Sequence, residues 1–452
     1  MKTFVLFFLL AVVAHAQPNV LLIVTDDQRP DAIGALGGMP VATPHLDRLA
    51  ASGTLFTRAI ASYPICHVSR AEMLTGCSAF RALPEYPAGA IDPKLATWAG
   101  TFRAAGWHTW FVGKWHNDGQ PKTRGYEETH GLFTSGGGGA EAKRDSRGNE
   151  ITGYRGWTFK TDDGLAEPEK GVGLTPDISA RFADAAIEFV ERQPERPFFL
   201  QVSFTAPHDP RLMPTGYDGR YDPAKLPLPR NFAPQHPFDH GNIDGRDERL
   251  LPKPLDPAAV RVELGIYYAI LTHMDAQIGR ILDALERTGQ REKTIVIFTS
   301  DQGLALGSHG LVGKQNMYEH TVGVPLILAG PGIPRGERRA TQCYLRDLFP
   351  TACELAGVPV PPTVRGQSIV PALRDPKHAV YPFVVASFTD TQRMLRDEQW
   401  KWIEYPRAGR TQLFDLRSDP DELTDLAGDP MHAARIGEMR TKLADFLRRA
   451  RD

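Results

Sequence analysis

A chain of 452 residues with 42% hydrophobic content can bury one large core or two unequal ones, which is the scale of an enzyme rather than of a small stapled module. Its formal net charge of -2, with both signs scattered along the sequence, excludes the basic stripe of a nucleic-acid binder and the long single-sign tail of a polyelectrolyte. An anionic ligand must therefore be met by local charge.

Residues 1–16, MKTFVLFFLLAVVAHA, combine a lysine, an apolar run from Phe4 to Val13 and an Ala14-His15-Ala16 ending, the layout of a cleaved secretory signal. The run is well short of the roughly 20 residues a membrane span needs. The expectation is a mature chain from near Gln17, secreted or periplasmic, without a stable membrane anchor. PNVLLIVTDDQ then reads as a buried strand that stops at Asp26 and Asp27, and TPHLDRLAASG as a helix. YPICHVSRAEMLTG places Cys66 just ahead of a helix-prone run and four residues before Arg70. A helical pattern in LATWAGTFRAAGW is followed by VGKWHND, with Lys114 and His116, and by the flexible tetraglycine Gly136 to Gly139 beside Ser135. SARFADAAIEFVERQ is helical, and PFFLQVSFTAPHDP is a second strand-like run, ending near His208.

Residues 205–256 are rich in proline and charge with no convincing period, and a loop this long is more often functional than idle. The long AAVRVELGIYYAILTHMDAQIGRILDALERTG is helical; KTIVIFTSDQG is a third strand, ending in Asp301 and Gln302; VPLILAGPG is a fourth. After about residue 375 the alternation gives way to short antiparallel-type strands and an amphipathic helix, MHAARIGEMRTKLADFLRRA. The expected organisation is a signal at 1–16, a catalytic domain at 17–375 and a small α+β subdomain at 376–452. Near-continuous apolar strands alternating with helices predict an α/β fold with a mostly parallel central sheet covered on both faces. Such a sheet gathers ligands at the carboxyl ends of its strands, where the polar residues above lie.

Asp26, Asp27 and Asp301 offer carboxylates and Gln302 an amide oxygen, a donor set suited to a hard cation such as Ca²⁺ or Mg²⁺. Taken singly each has a plainer reading, because an Asp-Asp pair can cap a helix and Asp-Gln-Gly makes a good turn. Arg70, Lys114 and Lys314 could meet an anion, and His116 and His208 could move protons. His309 reads as structural. Export permits disulfides among the 4 cysteines, and bridges Cys66–Cys77 and Cys343–Cys353 remain open on spacing alone.

In combination and order these segments resemble the sulfatase family of the alkaline-phosphatase-like fold, and within it the choline-sulfatase-like and iduronate-2-sulfatase-like enzymes. The resemblance runs from about Pro18 to Pro430 and includes NVLLIVTDDQRPDAIGALGG, FVGKWH, APHDP, FTSDQG, HGLVGKQNMYEHTVGVPLILAGPG and LFDLRSDPDE. It implies that Cys66 is oxidised by a formylglycine-generating enzyme to formylglycine, within a motif of which Cys66 and Arg70 match while Val68 stands where Pro or Ala is usual. It further implies one Ca²⁺ held by Asp26, Asp27, Asp301, Gln302 and the modified Cys66, with Gln302 replacing the more usual asparagine or histidine. Arg70 and Lys114 would hold the aldehyde hydrate, His116 would act as base in sulfate release, and His208 and Lys314 would bind sulfate and protonate the leaving alcohol, with Ser135 a further helper. The implied activity is sulfate-ester hydrolysis on a sulfated carbohydrate, with Arg211, Arg230, Asp239 and His240 of the long loop expected at the pocket rim. A phosphate or phosphonate ester hydrolase of the same fold, or an unconverted glycan-binding pseudo-sulfatase, are the alternatives.

Overall fold

The computed structural model describes residues 17–136 and 153–449. The signal segment 1–16 and Gly137 to Gly139 lie outside the described residues. The strands in chain order are β1 (Asn19–Thr25), β2 (Thr54–Phe56), β3 (Ala59–Ile60), β4 (His108–Lys114), β5 (Glu128–Thr134), β6 (Thr158–Lys160), β7 (Phe198–Ser203), β8 (Thr294–Ser300), β9 (Leu326–Ala329), β10 (Glu337–Arg339), β11 (Cys343–Tyr344), β12 (Val384–Phe388), β13 (Gln392–Arg396), β14 (Trp400–Tyr405) and β15 (Arg410–Asp415). Nine of them form one sheet in the order β10-β2-β9-β8-β1-β7-β4-β5-β6.

Its centre, β8-β1-β7-β4-β5, is parallel throughout. The apolar run that forms β9 departs from that pattern: it pairs antiparallel with β8 and with β2. The chain between β8 and β9 holds only the short helix Glu319–Val322, without the long crossover helix that usually joins parallel neighbours.

Period-two alternation sends the two faces of β1 into two cores. Val20, Leu22 and Val24 pack with helices Cys66–Thr75, Trp98–Ala104 and Leu348–Ala356. Leu21 and Ile23 pack with Pro44–Ala51, Ile178–Glu191 and the 31-residue helix Pro257–Arg287. Every β1 side chain is buried, which explains why its sequence reads as a continuous apolar run.

The last four strands form a separate antiparallel sheet, β12-β13-β14-β15. One face, with Ala386, Phe388, Met394 and Ile403, joins the main core, and the other, with Leu395, Trp402 and Leu413, is covered by Met439 and Leu443 of helix Ala433–Arg449. The sheet is thus packed into the body on one side and closed by its own helix on the other. All four cysteines are free and buried, so neither bridge left open by spacing is formed.

Candidate active site

The carboxyl ends of the central strands deliver the chemistry to one place. Asp26 and Asp27 follow β1, Lys114 ends β4, His208 lies beyond β7, and Asp301 and Gln302 follow β8. Helix Cys66–Thr75 arrives with Cys66 as its first residue and Arg70 one turn on. Val68 faces the opposite way, into the apolar core, where its branched side chain is wholly buried. Lys314 comes from the loop between β8 and β9.

Cys66 is the hub. Its Sγ donates to Asp26 Oδ1 at 3.2 Å and accepts from Gln302 Nε2 and Lys314 Nζ, each at 3.2 Å. Burial and the Asp26 charge push the thiol up strongly, against the pull of Lys114 and Lys314. As a plain cysteine it therefore stays protonated and is a poor nucleophile.

Asp26 is fully buried and its Oδ2 meets both the Lys114 ammonium and the Tyr154 hydroxyl, with Arg70 Nη2 at 4.0 Å. Burial opposes its ionisation, but Lys114, His208, Arg70 and Lys314 outweigh that and hold its carboxyl well below the usual carboxylate range. Asp27 adopts a left-handed backbone (φ 68°) and receives Lys314 Nζ at 2.9 and 3.0 Å and Gln302 Nε2 at 2.6 Å. Asp301 accepts from Arg70 Nε at 2.8 Å and from the Asp27 backbone N–H at 3.3 Å, and burial together with Asp26 pushes it up to about 7. Lys114 is aimed by a local irregularity: the β4 register shifts between Phe111 and Gly113, where Gly113 takes φ 95° against the Ser203 carbonyl.

His208 Nδ1 lies 2.5 Å from the Asp209 backbone oxygen, which only accepts, so Nδ1 carries the hydrogen and Nε2, 3.7 Å from Asp27 Oδ2, is the exchanging nitrogen. His116 sits just past Lys114 with its ring 5.0 Å from Trp157, and its Nδ1 is buried without a hydrogen-bond partner among the described residues. Burial and Lys114 hold it well below the ordinary histidine range, so it is a neutral base. Arg70, Lys114 and His116 line one small cavity together with Gln201.

The oxygen donors fit a cation. Asp26, Asp27, Cys66 and His208 bring ligand atoms within 4.8 Å of one another, and Asp301 adjoins them with one oxygen engaged by Arg70. The Gln302 amide points its nitrogen at Asp27 and Cys66 while its Oε1 is buried and unpaired. Rotation of that amide would put the orphaned oxygen toward the carboxylate, an arrangement that is favourable only around a cation.

Of the residues expected at the rim, two are elsewhere. Arg211 is buried and donates to Glu263 Oε2 at 2.8 Å, and His240 is buried with its Nδ1 2.9 Å from Gln392 Nε2. Both are held by partners distant in sequence, and their side chains are buried, not exposed as residues of a rim would be. Arg230 is exposed and paired with Asp421, Asp239 is exposed and accepts from the Gly241 N–H, and Ser135 is exposed just beyond β5. His309 is stacked on Tyr318 at 3.9 Å. Sequence reasoning missed Tyr154, whose hydroxyl touches Asp26, whose ring lies 5.0 Å from Lys114 Nζ and whose edge meets His208 at 4.8 Å. It also missed Asp209, although the APHDP turn carries it beside His208.

Residues 18–358 match the sulfatase family, more than half of the chain. The chain belongs to the sulfatase family. Its activity is accordingly hydrolysis of sulfate esters, and residues 307–449 match the family described as N-sulphoglucosamine sulphohydrolase, C-terminal. The chain is 28% identical to an arylsulfatase of Clostridium perfringens over 95% of this chain and 94% of that protein. It is also 28% identical to a choline-sulfatase of Rhizobium meliloti, over 92% and 83%. In fold it is similar to BT4656, solved in complex with its substrate D-glucosamine-2-N,6-O-disulfate, with TM-score 0.79, 22% identity and coverage of 96% and 98%. No helix among the described residues of this sulfatase is long and apolar enough to cross a membrane.

Proposed function

We propose that this sulfatase acts on a sulfated carbohydrate through formylglycine at position 66 and one bound Ca²⁺. The observation that supports it best is the place of Cys66, first in its helix, with Sγ 3.2 Å from Asp26, Gln302 and Lys314 at once. Formylglycine supplies a hydrated aldehyde, whose one hydroxyl attacks sulfur and whose other, once deprotonated, expels sulfate without a second difficult hydrolysis. Asp26, Asp27, Asp301, Gln302 and position 66 would hold the Ca²⁺, which supplies positive charge beside nucleophile and sulfate. Three carboxylates face the three buried cations Arg70, Lys114 and Lys314, so a divalent ion leaves the pocket formally positive and receptive to an anionic ester.

The side chains divide the remaining work by position. Arg70 and Lys114 anchor the position-66 side of the site against Asp301 and Asp26, and His116, neutral beside them, takes the proton whose removal drives sulfate release. On the other side Lys314 and His208 flank Asp27, where Lys314 binds sulfate oxygen and the two together deliver a proton to the leaving alcohol. The carbohydrate preference draws on the neighbour whose bound substrate is a sulfated glucosamine. Peptide mass spectrometry around position 66 should show loss of the thiol sulfur and a hydratable carbonyl. Full turnover of sulfate esters by protein carrying an intact thiol would reject the nucleophile assignment. A panel of defined sulfated sugars tests the substrate class, and activity confined to aryl sulfates would reject it.

A further inference from the structure

The long proline-rich loop contributes three consecutive residues, Arg246, Asp247 and Glu248, that touch both proton-donor arms of the site from behind. Arg246 donates to both carboxylate oxygens of Asp209, at 2.6 and 2.8 Å, and Asp209 is the residue whose backbone oxygen fixes His208 Nδ1. Arg246 also pairs with Asp247. Asp247 Oδ2 accepts from Gln315 Nε2 at 3.0 Å, immediately after Lys314. Glu248, almost wholly buried, accepts from the backbone N–H groups of Val312 (2.9 Å) and Gly313 (2.8 Å), immediately before Lys314, and is itself neutralised by Lys253 at 2.8 Å. The fit is close enough to require glycine at 313, where an added Cβ would lie 2.7 Å from Asp247 Cβ and 2.9 Å from Glu248 Oε1.

A buried carboxylate that accepts two successive backbone N–H groups makes charge-assisted bonds and leaves the segment little freedom. A bidentate guanidinium–carboxylate pair does the same for the His208 turn. The two clamps, Arg246 and Glu248, lie two residues apart in one short turn, so the position of one arm is tied to the position of the other.

We propose that Arg246, Asp247 and Glu248 act as a yoke that sets the spacing between His208 and Lys314 across the sulfate position. They are positioning residues, and the assignment rests on the reading above that His208 and Lys314 serve the leaving alcohol. A misplacement of about 1 Å in such groups costs about 100-fold in rate. The part of the cost that concerns proton delivery falls only on esters whose leaving group needs a proton, whereas any loss of the Lys314 contact to sulfate is shared by esters whose leaving group departs as a stable phenolate.

The test compares Arg246→Gln, Glu248→Gln and the double variant on an alkyl sulfate and on 4-nitrophenyl sulfate, with thermal unfolding measured alongside. The expected result is a loss in kcat about 10-fold or more greater on the alkyl sulfate than on the nitrophenyl ester, the smaller loss common to both reporting the Lys314 contact to sulfate. The double variant should lose no more than the worse single one, because one spacing can be broken only once. Equal losses on both esters accompanied by a lowered unfolding temperature would overturn the yoke in favour of simple structural support, and so would losses that multiply. His208→Ala and Lys314→Ala separate the two levels of the argument. If these lack the leaving-group dependence, the role given to His208 and Lys314 falls; if they show it and the yoke variants do not, the yoke alone falls.

Discussion

Gly113→Ala tests whether backbone geometry, and not only residue identity, places Lys114. An alanine Cβ at this position would lie 2.1 Å from the Ser203 carbonyl oxygen, 0.9 Å inside the 3.0 Å that real Cβ atoms respect. The backbone φ of 95° adds the strain of a left-handed L-residue, about 1–2 kcal/mol. The carbonyl belongs to the neighbouring strand β7, whose pairing with β4 runs from Phe198 to Ser203, so the clash is relieved by opening the end of that pair. The residue displaced is then Lys114, whose ammonium contacts Asp26 Oδ2 from a wholly buried position. A shift of nearly 1 Å in a group that holds the nucleophile predicts about a 100-fold loss in kcat on an aryl sulfate, with a stability loss of about 2 kcal/mol by urea denaturation. The Gly113→Ala/Lys114→Ala double variant should be no slower than Lys114→Ala alone, since the misplaced group is then already gone. Wild-type turnover in Gly113→Ala, or losses that multiply in the double variant, would refute the link between the bulge and the lysine.

Chelation followed by dialysis should abolish turnover and lower the unfolding temperature, and added Ca²⁺ should restore both, because three buried carboxylates converge at the strand ends; unchanged activity after metal stripping would exclude the cation. Lys401→Met removes the buried ammonium that pairs with Glu319 at 3.0 Å and Glu422 at 2.8 Å, at a cost of about 3–5 kcal/mol near pH 8. Burial holds Glu422 up at about 7 despite Lys401, so between the usual glutamate range and pH 7 the folded chain keeps a proton the unfolded chain has lost, and stability falls as pH rises there. Losing the lysine raises that value further, so denaturation at pH 5.5 should show a smaller deficit than at pH 8; equal deficits would refute the pairing. Arg211→Ala removes a buried guanidinium that meets Glu263 at 2.8 Å, so losses should be similar on carbohydrate and aryl sulfates, and a loss confined to the carbohydrate would return Arg211 to the pocket rim.

What could be read from the sequence was whatever has a local signature. An apolar run that stops abruptly marks a strand end, and in a parallel sheet strand ends share one edge, so Asp26, Asp27, His208, Asp301 and Gln302 could be placed together from the sequence alone. Direction is not encoded that way: the run forming β9 is as apolar as β8, yet it pairs antiparallel, in keeping with a connection that lacks a long helix. Charge in a proline-rich loop suggests exposure, and that inference failed for Arg211 and His240 for one reason. Each meets a partner that arrives from far along the chain: Glu263 lies 52 residues from Arg211, and Gln392 lies 152 from His240. Burying a charge is tolerable only with such a partner, and separations of this size leave no periodicity to detect. Tyr154 is a further instance, 128 residues from the Asp26 carboxylate it touches. The strand-end residues were legible because the sheet repeats a rule for where they must sit, whereas the residues that brace them obey only the geometry of this one fold.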